Sequence, residues 1–351
     1  MRLEVLRHWT TKLLKREITY YDYVMFLLRR IFVKMQTTYN THLKKVNYID
    51  RSQGKEVGVV ILTGLYPITW DVVFRRVYEF SGNFDVTVLN AGGLNREKAI
   101  RLSEEFGFSY LEGTPNNYVA LQNYYIMNSS HKIIIKMDDD VFLTNYTLKN
   151  LLDAYKRLRE AGFDIGFVAP VLNVNNVTYY HFLKTLDLLS EYEALFEKAI
   201  FIRNWTKQAI WLDPQVARWI WERSLPLNET AEKFNYKNKE QIDVIPVRFS
   251  IQLILFEKSF LEFIGGMVSP GPKFLGDENP QETPQNNIKL PRLLVPFGDE
   301  ESMNFFADIY MAGRFIALDS FAGHLAYAPQ RFYMIEWFKN NKEKFVEDIR
   351  K

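Results

Sequence analysis

The 351-residue sequence contains no cysteine. That excludes disulfides, thiolate nucleophiles and cysteine-ligated zinc, and it favours a reducing, cytoplasmic compartment. Long apolar runs are also missing. No stretch approaches the roughly 18–20 apolar residues of a membrane span. The opening, MRLEVLRHWTTKLLKRE, has no clean apolar h-region, so no signal peptide is expected. Neither G-x-G-x-x-G nor G-x-x-x-x-G-K-[ST] occurs, which disfavours a dinucleotide enzyme and a P-loop ATPase. Net charge is scarce too, at +2. The basic residues concentrate near the start, so a nucleic-acid partner is not expected. No internal repeat is seen.

What is present is a large apolar fraction. Hydrophobic residues make up 47% and aromatics 15%, enough for a sizeable core and too much for a disordered chain. One stretch stands out: HKIIIK, His131–Lys136, followed by MDDDVFL, Met137–Leu143. Ile133, Ile134 and Ile135 read as a buried central strand. Asp138, Asp139 and Asp140 follow at its carboxyl end. Three such carboxylates repel one another and resist desolvation unless a cation sits among them. Hard oxygen ligands at the mouth of an α/β sheet suit Mg²⁺ or Mn²⁺ and, through the metal, a diphosphate. The competing explanation is a strand-to-helix turn with an acidic cap, but a cap needs one carboxylate and not three.

Around this stretch the chain alternates. Residues 1–51 carry eleven Lys/Arg against four Asp/Glu, a local excess of +7. Within them Tyr20–Val33 is apolar, with Arg29, Arg30 and Lys34 beside it. Residues 1–50 are either a helical extension packed on the main domain or a basic amphipathic segment resting on an anionic membrane surface. Gly54 marks a boundary. Strands are then expected at Val57–Thr63, Phe84–Leu89, Phe108–Leu111 and Ile133–Lys136. Helices are expected between them at Trp70–Phe80, Glu97–Phe106 and Asn116–Ser129. That rhythm predicts a parallel sheet with helices on its faces.

Further on, Tyr146–Ala161 predicts an amphipathic helix closed by Gly162, and Ile165–Leu172 a strand. Tyr179–Trp221 is rich in aromatics, which serve as core or as platforms for sugar rings. Asn228–Asp243 reads as a loop or exposed helix and Val247–Glu257 as a strand. Ile264–Asn287 is rich in Gly, Pro and polar residues, either a mobile loop near a site or a surface linker. A second constellation lies in Val295–Ile309: Gly298, then Asp299, Glu300 and Glu301 opening a helix. Phe315–Leu318 reads as a strand, Phe321–Tyr327 places His324 in a loop or strand, and Arg331–Arg350 is a helix packed on the body.

With both constellations in hand, the chain resembles GT-A fold glycosyltransferases. The residues that carry the resemblance are KIIIKMDDDVFL, with its Asp-x-Asp, then FGDEESMNFFADIYMAGRF and FAGHLAY. It covers roughly residues 57–330. KMDDDVF resembles β-1,3-galactosyltransferase-like enzymes. The GDEESM helix start is similar to cytosolic N-acetylglucosaminyltransferases of protein hydroxyproline. No subfamily is assigned.

The resemblance implies an α/β fold of GT-A type: a Rossmann-like mixed, mainly parallel sheet flanked by helices, with an N-terminal helical extension. It divides the chain into a basic extension (1–52), a nucleotide-sugar-binding half (53–175), an acceptor-binding half with catalytic acids (176–330) and a C-terminal helix (331–351). It implies a metal-dependent transfer of sugar from a nucleoside diphosphate sugar, a UDP-sugar first, to a carbohydrate or other hydroxyl acceptor such as a surface glycan. Asp140 and His324 would ligate Mn²⁺ or Mg²⁺. Asp138, counted with that metal site, would contact the ribose or a metal-bound water, and Asp139 would orient the sugar. Asp299 or Glu300 would be the general base, with Glu301 in reserve. Thr63, Gly64, Tyr66 and Asn116 or Asn117 would approach the base and ribose, and Lys136 and Arg96 the phosphates or base. A loop at 270–287 would close over the donor. Two other functions compete. A nucleotidyltransferase or pyrophosphorylase would normally carry a Gly-rich basic signature, which TGLYP at Thr63–Pro67 lacks. A non-catalytic carbohydrate-binding protein would bind sugar without nucleotide.

Overall fold

The computed structural model describes residues 10–16, 19–64, 66–91, 95–114, 117–201, 208–268 and 298–350. Asn116, Trp205 and the Gly/Pro-rich stretch 270–287 lie outside the described residues. Ten strands are described: β1 (Lys45–Ile49), β2 (Val57–Thr63), β3 (Asp85–Asn90), β4 (Ser109–Thr114), β5 (Ile133–Asp138), β6 (Val141–Phe142), β7 (Ile165–Leu172), β8 (Ile242–Val244), β9 (Leu253–Glu257) and β10 (Gly313–His324). They form one mixed sheet in the order β1-β4-β3-β2-β5-β9-β7-β10-β6, with β8 also pairing β10. β2, β3, β4, β5, β7 and β10 run one way. β1, β6, β8 and β9 run against them. The α/β class and the mixed, helix-flanked sheet are as expected.

The central strands form because they are apolar on both faces. Val59, Val60 and Ile61 of β2 and Ile134 and Ile135 of β5 have no exposed surface. Each such side chain contributes about 1.5–3 kcal/mol on leaving water. β2, β7 and the helix Trp70–Phe80 have the bounds the apolar pattern predicts. β1 was not anticipated. Its KVNYI is half-polar and largely exposed, as suits an edge strand. Val247–Glu257 shortens to β9, and Asn228–Asp243 resolves into the helix Leu227–Lys237 and β8.

β9 comes from the second expected half yet lies between β5 and β7 of the first. No break in the sheet falls at residue 175, and one hydrophobic core spans both halves. The C-terminal helix Arg331–Arg350 packs on the body as expected. Phe338 and Phe345 pack tilted against Phe142 of β6, with ring centroids 5.6 and 4.8 Å away. Buried Arg76 bonds the carbonyls of Leu143 (2.5 Å) and Phe345 (2.9 Å), tying that helix to the strand.

The end of β10 is held by a close approach. A Cβ on Gly323 would lie 2.4 Å from the Trp221 ring. The Trp221 Nε1–H in turn donates to the carbonyls of His324 (3.1 Å) and Leu325 (3.0 Å). Gly323→Ala is therefore expected to cost about 1–3 kcal/mol of stability through overpacking. The midpoint of chemical denaturation, compared with wild type, checks this.

Candidate active site

β5 delivers the acidic triplet. Asp138 is its last residue, and Asp139 and Asp140 form the turn into β6. Strand order reverses here: β3 and β4 lie on one side of β2, and β5 lies on the other. Such a reversal opens a crevice beyond the carboxyl ends of the two strands, where open α/β sheets place ligands. Thr63 ends β2 on one lip of it, and Asp138 ends β5 on the other.

The three carboxylates meet three different fates. Asp139 turns into the protein. Its Oδ2 accepts from Gly64 N (2.8 Å), Tyr66 N (3.2 Å) and Trp70 Nε1 (2.8 Å). Its carbonyl accepts from Thr69 Oγ1 at 2.6 Å. Expected to orient a sugar, it binds the loop after β2 and the first residue of the helix that follows. Asp138 keeps 31% of its side chain exposed and lies 2.7 Å from Lys136 Nζ. Burial raises its carboxyl to about 6; Lys136 opposes the rise and Asp299 adds to it.

Asp140 is buried, and its Oδ2 has no hydrogen-bond partner among the described residues. Burial holds its carboxyl well above the usual range, with Asp139 and Asp138 adding to the effect. Across from that oxygen, 3.5 Å away, lies His324 Nε2. β6 pairs with the end of β10 and puts Val141 opposite His324. Leu325 N also donates to Asp140 O at 3.0 Å.

The imidazole is oriented from its other side. His324 Nδ1 is 2.5 Å from Val174 O. A carbonyl only accepts, so Nδ1 carries the proton and Nε2 presents a lone pair. Burial lowers this imidazole to about 4, leaving it neutral. The Nε2 lone pair thus faces the Asp140 carboxyl oxygen, a gap that either the carboxyl's own proton or a cation fills. The set fits a cation: one carboxylate, and one imidazole whose N–H is anchored on a backbone carbonyl. No cluster of three His, Cys, Asp or Glu converges among the described residues. Two protein ligands, the rest coming from phosphate oxygens and water, is how Mg²⁺-type nucleotide sites are built. The donor set therefore fits Mn²⁺ or Mg²⁺ arriving with a diphosphate.

The second constellation opens the helix Asp299–Ile309. Asp299 accepts from Gln122 Nε2 at 3.2 Å and from the Glu300 backbone N–H at 2.9 Å. Arg248 Nη2 lies 2.7 Å from Glu300 Oε1 and 2.5 Å from Glu301 Oε1. Burial raises Glu300 to about 7; Arg248 opposes this, and Glu301 and Asp299 favour it. The Glu300 side chain stays 23% exposed, so it can still exchange a proton.

Lys136 joins the two constellations. Its buried Nζ lies 2.7 Å from Asp138 Oδ1 and 3.6 Å from Asp299 Oδ2, and donates to Ile251 O at 2.9 Å. Burial alone would favour the neutral amine, but Asp138 and Asp299 hold the proton on. Expected to contact phosphate or base, it bonds Ile251 O, lies against Asp138 and pairs by charge with Asp299.

The remaining expected donor contacts are also engaged within the protein. Thr63 is buried and gives its hydroxyl to Leu89 O at 3.2 Å. Asn117 caps the helix Tyr118–Asn128, accepting from Val119 N and Ala120 N. Arg96 pairs with Glu112 at 2.7 Å. Tyr66 donates its hydroxyl to Ala326 O at 3.2 Å and accepts from Arg331 Nε at 3.1 Å.

Sequence reasoning missed three contributors. Arg331 lies over the Tyr66 ring, 5.1 Å from its centroid, and its charge reaches Asp140. Arg248 holds the second acid pair. The stretch Asn173–Asn176 after β7 supplies Val174 O, and Asn173 Oδ1 accepts from His324 N at 2.8 Å. An asparagine-rich stretch at the end of an apolar strand was a readable signal; nothing local marked the two arginines.

Removing the joining cation tests this construction. Lys136→Met would leave Asp138 and Asp299 facing one another uncompensated. We expect a loss of roughly 2–4 kcal/mol, below that of a fully buried pair because Asp138 stays partly solvated. Urea denaturation at neutral pH measures it.

No family model matches the chain, and no curated protein matches it. Among solved structures, the chain is similar to the mannosyltransferase PcManGT from Pyrobaculum calidifontis, a complex with GDP-Man and Mn²⁺. The TM-score is 0.43 at 14% identity, over 93% of this chain and 73% of that one. It is also similar to S. aureus TarS 1–349, with a TM-score of 0.38 at 12% identity, over 80% of this chain and 63% of that one.

Proposed function

We propose that this chain is a metal-dependent glycosyltransferase of GT-A type. It moves a sugar from a nucleoside diphosphate sugar, a UDP-sugar first, to a hydroxyl of a glycan or other acceptor. A role in surface polysaccharide or glycoconjugate synthesis fits such a transfer. The observation that carries the reading is the buried, unpartnered Asp140 Oδ2 facing the lone pair of His324 Nε2 at the strand-order reversal.

The roles follow from chemistry. Asp140 and His324 would hold Mn²⁺ or Mg²⁺, which when bound neutralises the charge of a leaving diphosphate. Asp138, the triplet's most exposed carboxylate, would face the donor. Arg331 adds a fixed cation beside Asp140, suited to the same diphosphate. Glu300 is the general base. It removes the acceptor hydroxyl proton as the acceptor oxygen bonds the anomeric carbon and the bond to the diphosphate breaks. Asp299, held by Gln122 and Lys136, positions the turn instead.

Two outcomes check the reading. Asp140→Asn should lower turnover at least about a hundredfold. Calorimetric titration with UDP should then show the same affinity with and without Mn²⁺, whereas wild type gains affinity from the metal. Release of pyrophosphate in place of nucleoside diphosphate would favour nucleotidyl transfer. Glu300→Gln should lose about 10²–10⁴-fold in transfer and keep its UDP affinity. A base works deprotonated, so wild-type transfer should rise as pH passes about 7 and level off above it. The pH–rate profile of the glutamine variant should lack that rise.

A further inference from the structure

The site described above does not use the helix Tyr20–Asn40. That helix is tied down at its far end. Buried Asn40 donates to Gly265 O at 3.0 Å, and Asn123 donates to Asn40 O at 3.1 Å. Along its length it exposes a row of large apolar side chains: Tyr20, Tyr21, Met25, Leu28, Ile31 and Met35, between 45% and 74% exposed. At about 100° per residue these six fall within roughly 140° of arc. They form one stripe about 22 Å long. A helix facing only water does not gather its apolar residues on the wet side.

The stripe does not end with this helix. The helix Lys258–Ile264 packs against it and exposes Phe263. The Phe263 ring meets Tyr310 at 4.8 Å, and Tyr310 stacks on Phe306 at 6.2 Å. Phe305, Ile309 and Met311 are exposed on and just beyond the helix that begins with Asp299.

Charge selects the occupant. Residues 1–51 carry an excess of +7. Lys34 on the helix and Lys44 and Lys45 just past it are exposed. An apolar face with basic residues at its margins is the pattern of a helix lying in the headgroup region of anionic lipid. No described helix is long and apolar enough to cross a membrane.

We propose that the helix Tyr20–Asn40, continued by Phe263 and the exposed apolar residues around Ile309, rests on an anionic lipid surface. The full chain is spun with vesicles of phosphatidylcholine alone or with phosphatidylglycerol added. It should sediment with the anionic vesicles, stay in solution with the neutral ones and be released by high salt. A Leu28→Glu, Ile31→Glu double variant should partition more than about tenfold less. Its melting temperature, elution volume and donor turnover should stay those of wild type, which separates lost contact from lost fold. Three outcomes would overturn the proposal: no sedimentation with anionic vesicles, undiminished binding by the double variant, or a wild-type dimer in solution that the double variant dissociates.

Discussion

A carboxylate taken out of water must be answered by something, and this site is arranged around that requirement. Asp139 is answered by N–H donors of the loop after β2. Asp138 and Asp299 share the ammonium of Lys136, and Glu300 and Glu301 share the guanidinium of Arg248. Asp140 alone of these has a buried oxygen that no described group answers. What faces it is the electron pair of His324 Nε2, and the gap between them takes a proton on the carboxyl or a cation.

Rigidity comes from the same economy of partners. His324 is held at Nδ1 by Val174 O, at its backbone N–H by Asn173 and at its carbonyl by Trp221. Two elements distant in sequence, the stretch after β7 and the helix that carries Trp221, fix this one residue, and Gly323 leaves the space that lets Trp221 reach it. Such support fixes the orientation of the imidazole. Lys136 does the same for the acids: one buried charge sets where the end of β5 stands relative to the helix Asp299–Ile309. That helix also contributes to the apolar surface that runs to the N-terminal helix, so contact with lipid would bring the acid site close to the membrane.

Much was legible from the sequence because burial leaves an obvious trace. Val57–Thr63, Ile133–Ile135 and Ile165–Leu172 are apolar on both faces, and nothing but a central strand takes such a run. Three adjacent aspartates stand at the end of one, and the fold brings His324 to 3.5 Å from Asp140 and Asp299 to 3.6 Å from Lys136. The edge strand β1 was not legible, because a half-polar KVNYI has no buried side to betray it. β9 was hidden in a longer apolar stretch, and nothing in the order of segments said that it would separate β5 from β7.

The sequence by itself determined the layered α/β fold, the strand that ends in carboxylates and the basic, apolar start of the chain. Each is a matter of local pattern: period, burial and charge within a few residues. Only the tertiary structure decided which aspartate does what. Adjacent side chains at a strand end point in different directions, so Asp139 meets the loop at 64–70 while Asp140 meets His324. It also decided that Lys136 pairs with Asp138 and Asp299, that Asn117 caps a helix, that Arg331 lies over Tyr66 and that Arg248 pairs with Glu300 and Glu301. Coulombic and hydrogen-bond partnerships fall off within a few ångströms in space, and distance along the chain carries almost no information about them.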